Sequence, residues 1–495
     1  MLNTAPHVKP SVIISAHVPD LITKELALVR HGDQRKIRLS TNFLPLMGFE
    51  PGRRHSVEVL PGAEGLRLAF DPAGRQKVYQ RRYNQRKNNP FEAQIEVSSS
   101  QLLDAAIPGC TERIHCTMRH GEILIRPLAN RTFSIRRNLG KAADPFAAMV
   151  AMSSGIDAHT LGAAGFNVVA GLDYRPQEAR DKRDLTESGA LTFLANNAPR
   201  YMFNEDVTKV DWSRLVREMA DVPQLAVLHM SLCCDDFSTM KGGNLRRLAI
   251  EDATSTRDLT YDFLRGIEVL MPAVAVLEQV VPYGQSPECV MLALRLRRWG
   301  YHVAQAVLPA KLMGGLTGRN RFYLVASVYP GFQMPEPASP RIAPLWQEIE
   351  PYLAGCRDVS HTRSLQEGIR VGRARVIRPD SLYSPTLVKS QARQSKDSVY
   401  IEMPDGRYLL PSEELLRFLS GIPASFSFAS VAAEQCAEQI GQGIDVPMHA
   451  ALCRAVHEHI GANVGRHSAV VVSPAPGRNP AAAPVRHRHG QLALF

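Results

Sequence analysis

Hydrophobic positions along this chain follow two different rhythms. From Lys36 short segments alternate: Ile37-Arg38-Leu39, Val57-Glu58-Val59 and Gly65-Leu66-Arg67-Leu68. A second set follows about 58 residues later, at Ile95-Glu96-Val97-Ser98, Ile114-His115-Cys116 and Gly121-Glu122-Ile123-Leu124-Ile125. A period of two marks strands with one buried face. Pro51-Gly52 and Pro108-Gly109 punctuate the two sets. Each copy, 36–70 and 94–127, therefore reads strand, short helix, Pro-Gly turn, strand, turn, strand. From Asp144 the rhythm changes to mostly apolar strand candidates at Ala147–Ala151, Val168–Leu172, Leu225–Met230, Ala273–Leu277, Tyr301–Leu308 and Phe322–Val328. Such runs suit strands buried on both faces. Helical spacing between them, as at Ala158 to Ala164, predicts an α/β fold. Its core is a doubly wound, mostly parallel sheet with a final antiparallel element.

The pattern divides the chain into a β-rich region over 1–138, an α/β domain over 140–335 and an irregular insert over 336–405. A return to the α/β domain follows over 406–464, and a Pro/Ala/Arg/His-rich tail over 465–495 is expected to be disordered. The return holds a Pro-Ser-x-Glu helix start at Pro411 and an amphipathic helix from about Pro447 to Ile460.

Composition narrows the class. With 45% hydrophobic residues in 495, the chain can bury a full core. No apolar run reaches the ~18 residues of a membrane helix, and no secretory signal opens the chain. The eight cysteines show no paired CxxC spacing, which argues against a disulfide framework and a zinc site and suits a reducing cytoplasm. A net charge of +10 favours a polyanionic partner. Two stretches concentrate that charge. Arg75 to Lys87 carries six basic residues, Arg81 and Arg82 among them, with two tyrosines and no acid. Arg363, Arg370, Arg373, Arg375 and Arg378 cluster in the insert. Both are expected to contact phosphates, or else to be solvated faces.

Candidate chemistry lies just past the apolar run Leu225–Met230, at Ser231-Leu232-Cys233-Cys234-Asp235-Asp236-Phe237-Ser238. The carboxyl ends of such strands are where open α/β sheets place their sites. Leu277-Glu278-Gln279-Val280, Thr317-Gly318-Arg319-Asn320-Arg321 and Ile440-Gly441-Gln442-Gly443 follow in order. A lone cysteine here reads as a buried structural thiol. Together the four stretches resemble the C5 cytosine DNA methyltransferase family.

The resemblance places Cys234 as nucleophile, with Cys233 and Asp235 where the family has Pro and Gln. It implies that Glu278 serves the base N3, that Arg321 contacts the base carbonyl and Glu278, and that Arg319 assists. It also implies S-adenosylmethionine as methyl donor, held by Ser153, Gly155, Asp173, Tyr174, Asp206 and Gly441. The family's Phe-x-Gly-x-Gly-Gly is reduced here to Ala151-Met152-Ser153-Ser154-Gly155-Ile156. Double-stranded DNA is the implied partner, and restriction-modification the implied setting, in the cytoplasm at the nucleoid. Asp235 and Asp236 beside Cys234 are expected to disfavour its thiolate unless a cation offsets them. A non-catalytic or altered-chemistry DNA-binding relative acting as a regulator is the alternative reading. The two N-terminal copies resemble swapped-hairpin modules of the AbrB/MazE type, although a generic pair of β-rich domains would give the same pattern. Gln491-Leu492-Ala493-Leu494-Phe495 is similar to the motif by which bacterial replication and repair proteins bind the sliding clamp. Gln491, Leu492, Leu494 and Phe495 are its expected anchors.

Overall fold

The computed structural model describes residues 18–32, 34–86, 90–178, 180–238 and 241–465. The sequence beyond 465, with the expected docking peptide, lies outside the described residues.

The N-terminal region holds ten strands: β1 (Ile22–Ala27), β2 (Val29–His31), β3 (Gln34–Ser40), β4 (Arg54–Val59), β5 (Leu66–Phe70), β6 (Gln76–Lys77), β7 (Tyr79–Arg82), β8 (Phe91–Val97), β9 (Arg113–Arg119) and β10 (Glu122–Pro127). They form two sheets, ordered β1-β9-β10-β5-β4-β6 and β2-β3-β8-β7. The two sequence copies interlock. β3 pairs with β8, β5 pairs with β10, and each copy keeps its own hairpin, β4–β5 or β9–β10. Alternation explains the closure. Ile37, Leu39, Leu66 and Leu68 meet their counterparts Ile95, Val97, Ile123 and Ile125 in one core. The helix Arg131–Leu139 leaves this region and sends Ile135 and Leu139 into the next core. The boundary expected at 138 therefore falls inside a helix of the α/β unit, and the β-rich region ends before it.

Seven strands build the central sheet: β11 (Ala147–Ala151), β12 (Asn167–Leu172), β13 (Tyr201–Phe203), β14 (Val227–Ser231), β15 (Val274–Gln279), β16 (His302–Pro309) and β17 (Asn320–Ser327). Their order is β13-β12-β11-β14-β15-β17-β16. Only β17 runs antiparallel to its neighbours. The winding reverses between β11 and β14, so a crevice opens beyond their carboxyl ends. β11 and β15 are buried at every position, including the polar Glu278 and Gln279 that end β15.

The insert is more ordered than its sequence suggested. It carries β18 (Arg357–Asp358), β19 (Arg375–Ile377), β20 (Val399–Glu402) and β21 (Tyr408–Leu410), ordered β18-β21-β20-β19. Strands of two to four residues are too short for a periodic signal. Its core joins Leu345, Ile377, Val399, Leu415, Leu419 and Ile440. The small domain thus runs past 405 to about 444. Only the helix Val446–Asn463 returns to the main core, through Met448, Leu452, Val456 and Ile460. No helix among the described residues is long and apolar enough to cross a membrane.

Candidate active site

β14 ends at Ser231, and the chain leaves the sheet as an irregular segment carrying Cys233 and Cys234. Gln279, the last residue of β15, fixes that segment. Its amide Nε2 donates to the carbonyls of Leu232 at 3.2 Å and Cys233 at 3.3 Å. Its Oε1 accepts from the Val280 amide at 2.6 Å. Sequence reasoning passed over Gln279, although it stands inside the Glu-Gln-Val stretch.

β14 and β15 are parallel neighbours with Ser231 opposite Glu278, which brings the carboxyl beside the cysteine segment. β17 pairs with β15 from the other side and delivers Arg321, whose Nε lies 2.7 Å from Glu278 Oε1. Burial raises the Glu278 carboxyl above its usual range, and Arg321 and Arg319 oppose the rise. A carboxyl poised this way can hold or give a proton at a ring nitrogen. Burial likewise pushes the Cys234 thiol up; Arg321 and Arg319 pull it down, and Glu278 and Asp235 push it further. Cys233 is pushed up to about 12, chiefly by burial.

Arg319 is buried and clamps the return segment. Its two terminal nitrogens donate to the carbonyls of Gly441 and Gln442, each at 3.1 Å. Burial lowers it to about 10. Thr317 Oγ1 donates to Asp445 at 3.0 Å, and the Gly318 amide donates to Ser384 of the insert at 2.8 Å. The Thr-Gly-Arg-Asn-Arg stretch thus joins the sheet, the insert and the last helix. Gly441 itself packs: a methyl there would overlap the Val388 carbonyl. This gives Gly441 a place in the insert's packing.

The expected cofactor residues gather at the ends of β11, β12 and β13. Ser153 Oγ accepts from the Gly155 amide at 3.1 Å. Gly155 is left-handed at φ 99°, and a Cβ there would stand 2.7 Å from the Phe193 Cα. Asp173 is buried at the end of β12 against Gly189, the second residue of the helix Ser188–Asn196. Burial, then Asp157, push it up to about 7. Tyr174 beside it is half-buried. Asp206 caps a short turn, accepting from the Thr208 amide at 3.1 Å, and is half-buried. Burial works against its charge, yet the bonds from Thr208 and Lys209 hold its carboxyl below the usual range.

The two acids after Cys234 are both occupied. Asp236 is buried and takes Lys241 at 2.5 Å, Ser255 at 3.0 Å and the Thr256 amide at 2.7 Å. Asp235 takes Lys389 of the insert at 3.1 Å.

The insert arginines have partners of their own. Arg370 pairs with Glu367, Arg373 with Asp397 and Arg378 with Glu402, while Arg375 donates to the Thr386 carbonyl at 2.9 Å. Arg363 is exposed at the start of its helix. Arg81 and Arg82 are exposed on the sheet-edge strand β7. Arg81 lies over Tyr83 at 4.9 Å, Arg86 over the same ring at 4.2 Å, and Arg82 over Phe91 at 5.9 Å.

This sheet order, with its crevice at the switch between β11 and β14, is that of the S-adenosylmethionine-dependent methyltransferases. Within that class, the C-5 cytosine-specific DNA methylase family model matches residues 147–342. Among solved structures the chain is similar to the S. pombe Dnmt2 methyltransferase, at 16% identity and a TM-score of 0.47, over 63% of this chain and 98% of that one. It is also similar to the Entamoeba histolytica methyltransferase EhMeth, at 13% identity and 0.48, over 63% and 98%. A putative DNA modification methyltransferase encoded within a prophage of E. coli matches at 13% and 0.44, over 64% and 99%. No curated protein matches the chain.

Proposed function

We propose that this protein is a DNA (cytosine-5-)-methyltransferase that takes its target cytosine out of the duplex. One observation carries the reading. Cys234, Glu278 and Arg321 come from three separated stretches, and adjacent strands bring them to one sheet edge. A vestigial, purely DNA-binding relative would have no need for a thiol aimed beside a proton-holding carboxyl.

Cytosine C5 is a weak nucleophile until something adds to C6. In the reading proposed, the Cys234 thiolate adds to C6 of the extruded base. Glu278 holds the proton at N3, and Arg321 keeps Glu278 in place while its guanidinium faces the base carbonyl. The resulting enamine carries the electron pair to C5. C5 is thus the atom a bound donor would methylate; once it carries the new group, passage of its proton to a base and expulsion of the thiolate restore the ring.

The residues at β11–β13 fit S-adenosylmethionine. Asp173 is a buried carboxyl at a strand end, pushed up to about 7, and two ribose hydroxyls donating to it would stabilise its charged form. When bound, S-adenosylmethionine supplies an electrophilic methyl group. Asp173 and Tyr174 would hold its ribose and adenine, Asp206 would accept from the adenine amino group, and the Ser153–Gly155 turn would lie along its chain.

The DNA backbone is held by the basic strip of β7 and by the insert. The strip offers guanidinium groups stacked on Tyr83 and Phe91, which orders them before any phosphate arrives.

The deciding test is covalent capture on a duplex containing 5-fluorocytosine, where the C5 fluorine cannot leave. Cys234→Ser is expected to abolish the trapped complex and Cys233→Ser to retain it. Capture by the Cys234→Ser variant would overturn the assignment.

A further inference from the structure

A carboxylate directly after a nucleophilic cysteine works against ionisation of the thiol. Asp235 holds that position, and the carboxylates of Glu278 and Asp235 both face Cys234. Arg321 and Arg319 supply opposing charge from β17 and the turn before it, but Arg321 is committed to Glu278 and Arg319 to two carbonyls. Asp236 points away to Lys241. A further cation at this corner comes from the insert. Lys389 Nζ lies 3.1 and 3.4 Å from the two Asp235 oxygens. Burial works against its charge, and Asp235, then Cys233 and Glu178, hold it protonated.

Lys389 is held where it is. Val388 and Lys389 press their backbone on Gly441, whose missing Cβ makes room for them, and Gly441 in turn accepts from Arg319. Arg319, Gly441, Lys389 and Asp235 therefore form a continuous path from the catalytic sheet through the return helix and the insert to the nucleophile.

We propose that Lys389 is a positioning residue for the transfer: it offsets Asp235, ties the nucleophile segment to the insert and so permits the Cys234 thiol to ionise. The inference rests on Cys234 being the nucleophile. It explains how a chain with Asp after its cysteine keeps a usable thiolate, and it makes seating of the insert a condition for a reactive site.

The test is the rate of Cys234 alkylation by iodoacetamide in the full chain, followed by peptide mass spectrometry from pH 6 to 10. It needs neither methyl donor nor DNA, so its outcome is separate from that of the methyltransferase reading. Lys389→Met is expected to slow alkylation at pH 7.5 about threefold to tenfold, with the rates converging at high pH where the thiol is ionised in both. Lys389→Arg should retain the wild-type profile. Asp235→Asn in the Lys389→Met background should restore it. Should Lys389→Met fail to fold, Asp235→Asn alone decides, because it is expected to speed alkylation at pH 7.5. An unchanged pH profile in Lys389→Met, or no gain from Asp235→Asn, overturns the proposal.

Discussion

Asp173 is asked to do two opposed things. In the proposed reading its carboxyl takes a ligand's hydroxyls, yet burial pushes it up to about 7. The sign of the stability effect follows. A folded-state value above the unfolded one means that the folded chain keeps its proton longer. Stability is therefore full below about pH 4 and is lost as pH rises toward 7. Asp173→Asn removes that loss. Urea unfolding without ligand is expected to show the variant more stable at pH 8, by up to a few kcal/mol, and matched to wild type near pH 4. The same substitution should weaken S-adenosylmethionine binding by roughly 1.5–3 kcal/mol, measured by calorimetry. Parallel stability curves for the two proteins would show that Asp173 carries no such strain. A gain in stability joined to a loss in affinity is the signature of a residue kept for function.

Among the elements, the helix Ala433–Gln442 is where small changes should travel furthest, because it touches insert, loop and sheet together. Its last turn gives Gly441 to Val388 and two carbonyls to Arg319, and Glu438 and Glu434 take Arg180 of the loop after β12. Gly441→Ala forces a methyl into the Val388 carbonyl and is expected to cost roughly 1–3 kcal/mol in urea unfolding. Its effect on Cys234 alkylation should exceed that of Gly461→Ala, where a methyl would stand 3.7 Å from Phe146 in ordinary contact. Equal effects at the two glycines would remove Gly441 from the path to the nucleophile. These elements also show what the sequence makes legible. β11, β14 and β15 announce themselves because burial on both faces demands mostly apolar runs. Cys234, Glu278 and Arg321 are readable because each ends or begins such a run. Lys389, Gln279 and the packing of Gly441 are not. Their meaning comes from pairings across 154 residues for Lys389 and Asp235, or 46 for Gln279 and Cys233, which no local periodicity encodes. The insert strands stayed hidden for the opposite reason, being too short to repeat.

At the scale of the whole molecule, the proposed DNA substrate raises the question of which basic surface its backbone would meet first. The two basic regions differ in what already faces them. Arg370, Arg373 and Arg378 of the insert each lie against an acid of the insert, so a phosphate must displace that partner. Exposed pairs of this kind are weak, and the exchange is feasible but gains little net charge. On β7 the exposed Arg81 and Arg82 lean on aromatic rings, and Arg81 also donates to Gln94 at 3.4 Å. Phosphates bound there release counterions at no cost in broken ion pairs, so the N-terminal sheet should dominate the salt-dependent part of binding. The prediction is made on a deletion of residues 1–129, because the helix Arg131–Leu139 belongs to the catalytic core through Ile135 and Leu139. Fluorescence anisotropy on a duplex of about three helical turns is expected to show weaker binding. The slope of log K against log salt should flatten by about 0.9 for every phosphate that the shortened chain no longer neutralises. The methylated sequence, read by bisulfite conversion, should stay the same, since groups that bind the backbone position a protein without choosing bases. A deletion that left the salt slope unchanged would take β7 out of the DNA path, and one that altered the methylated sequence would show the N-terminal sheet reading base edges instead.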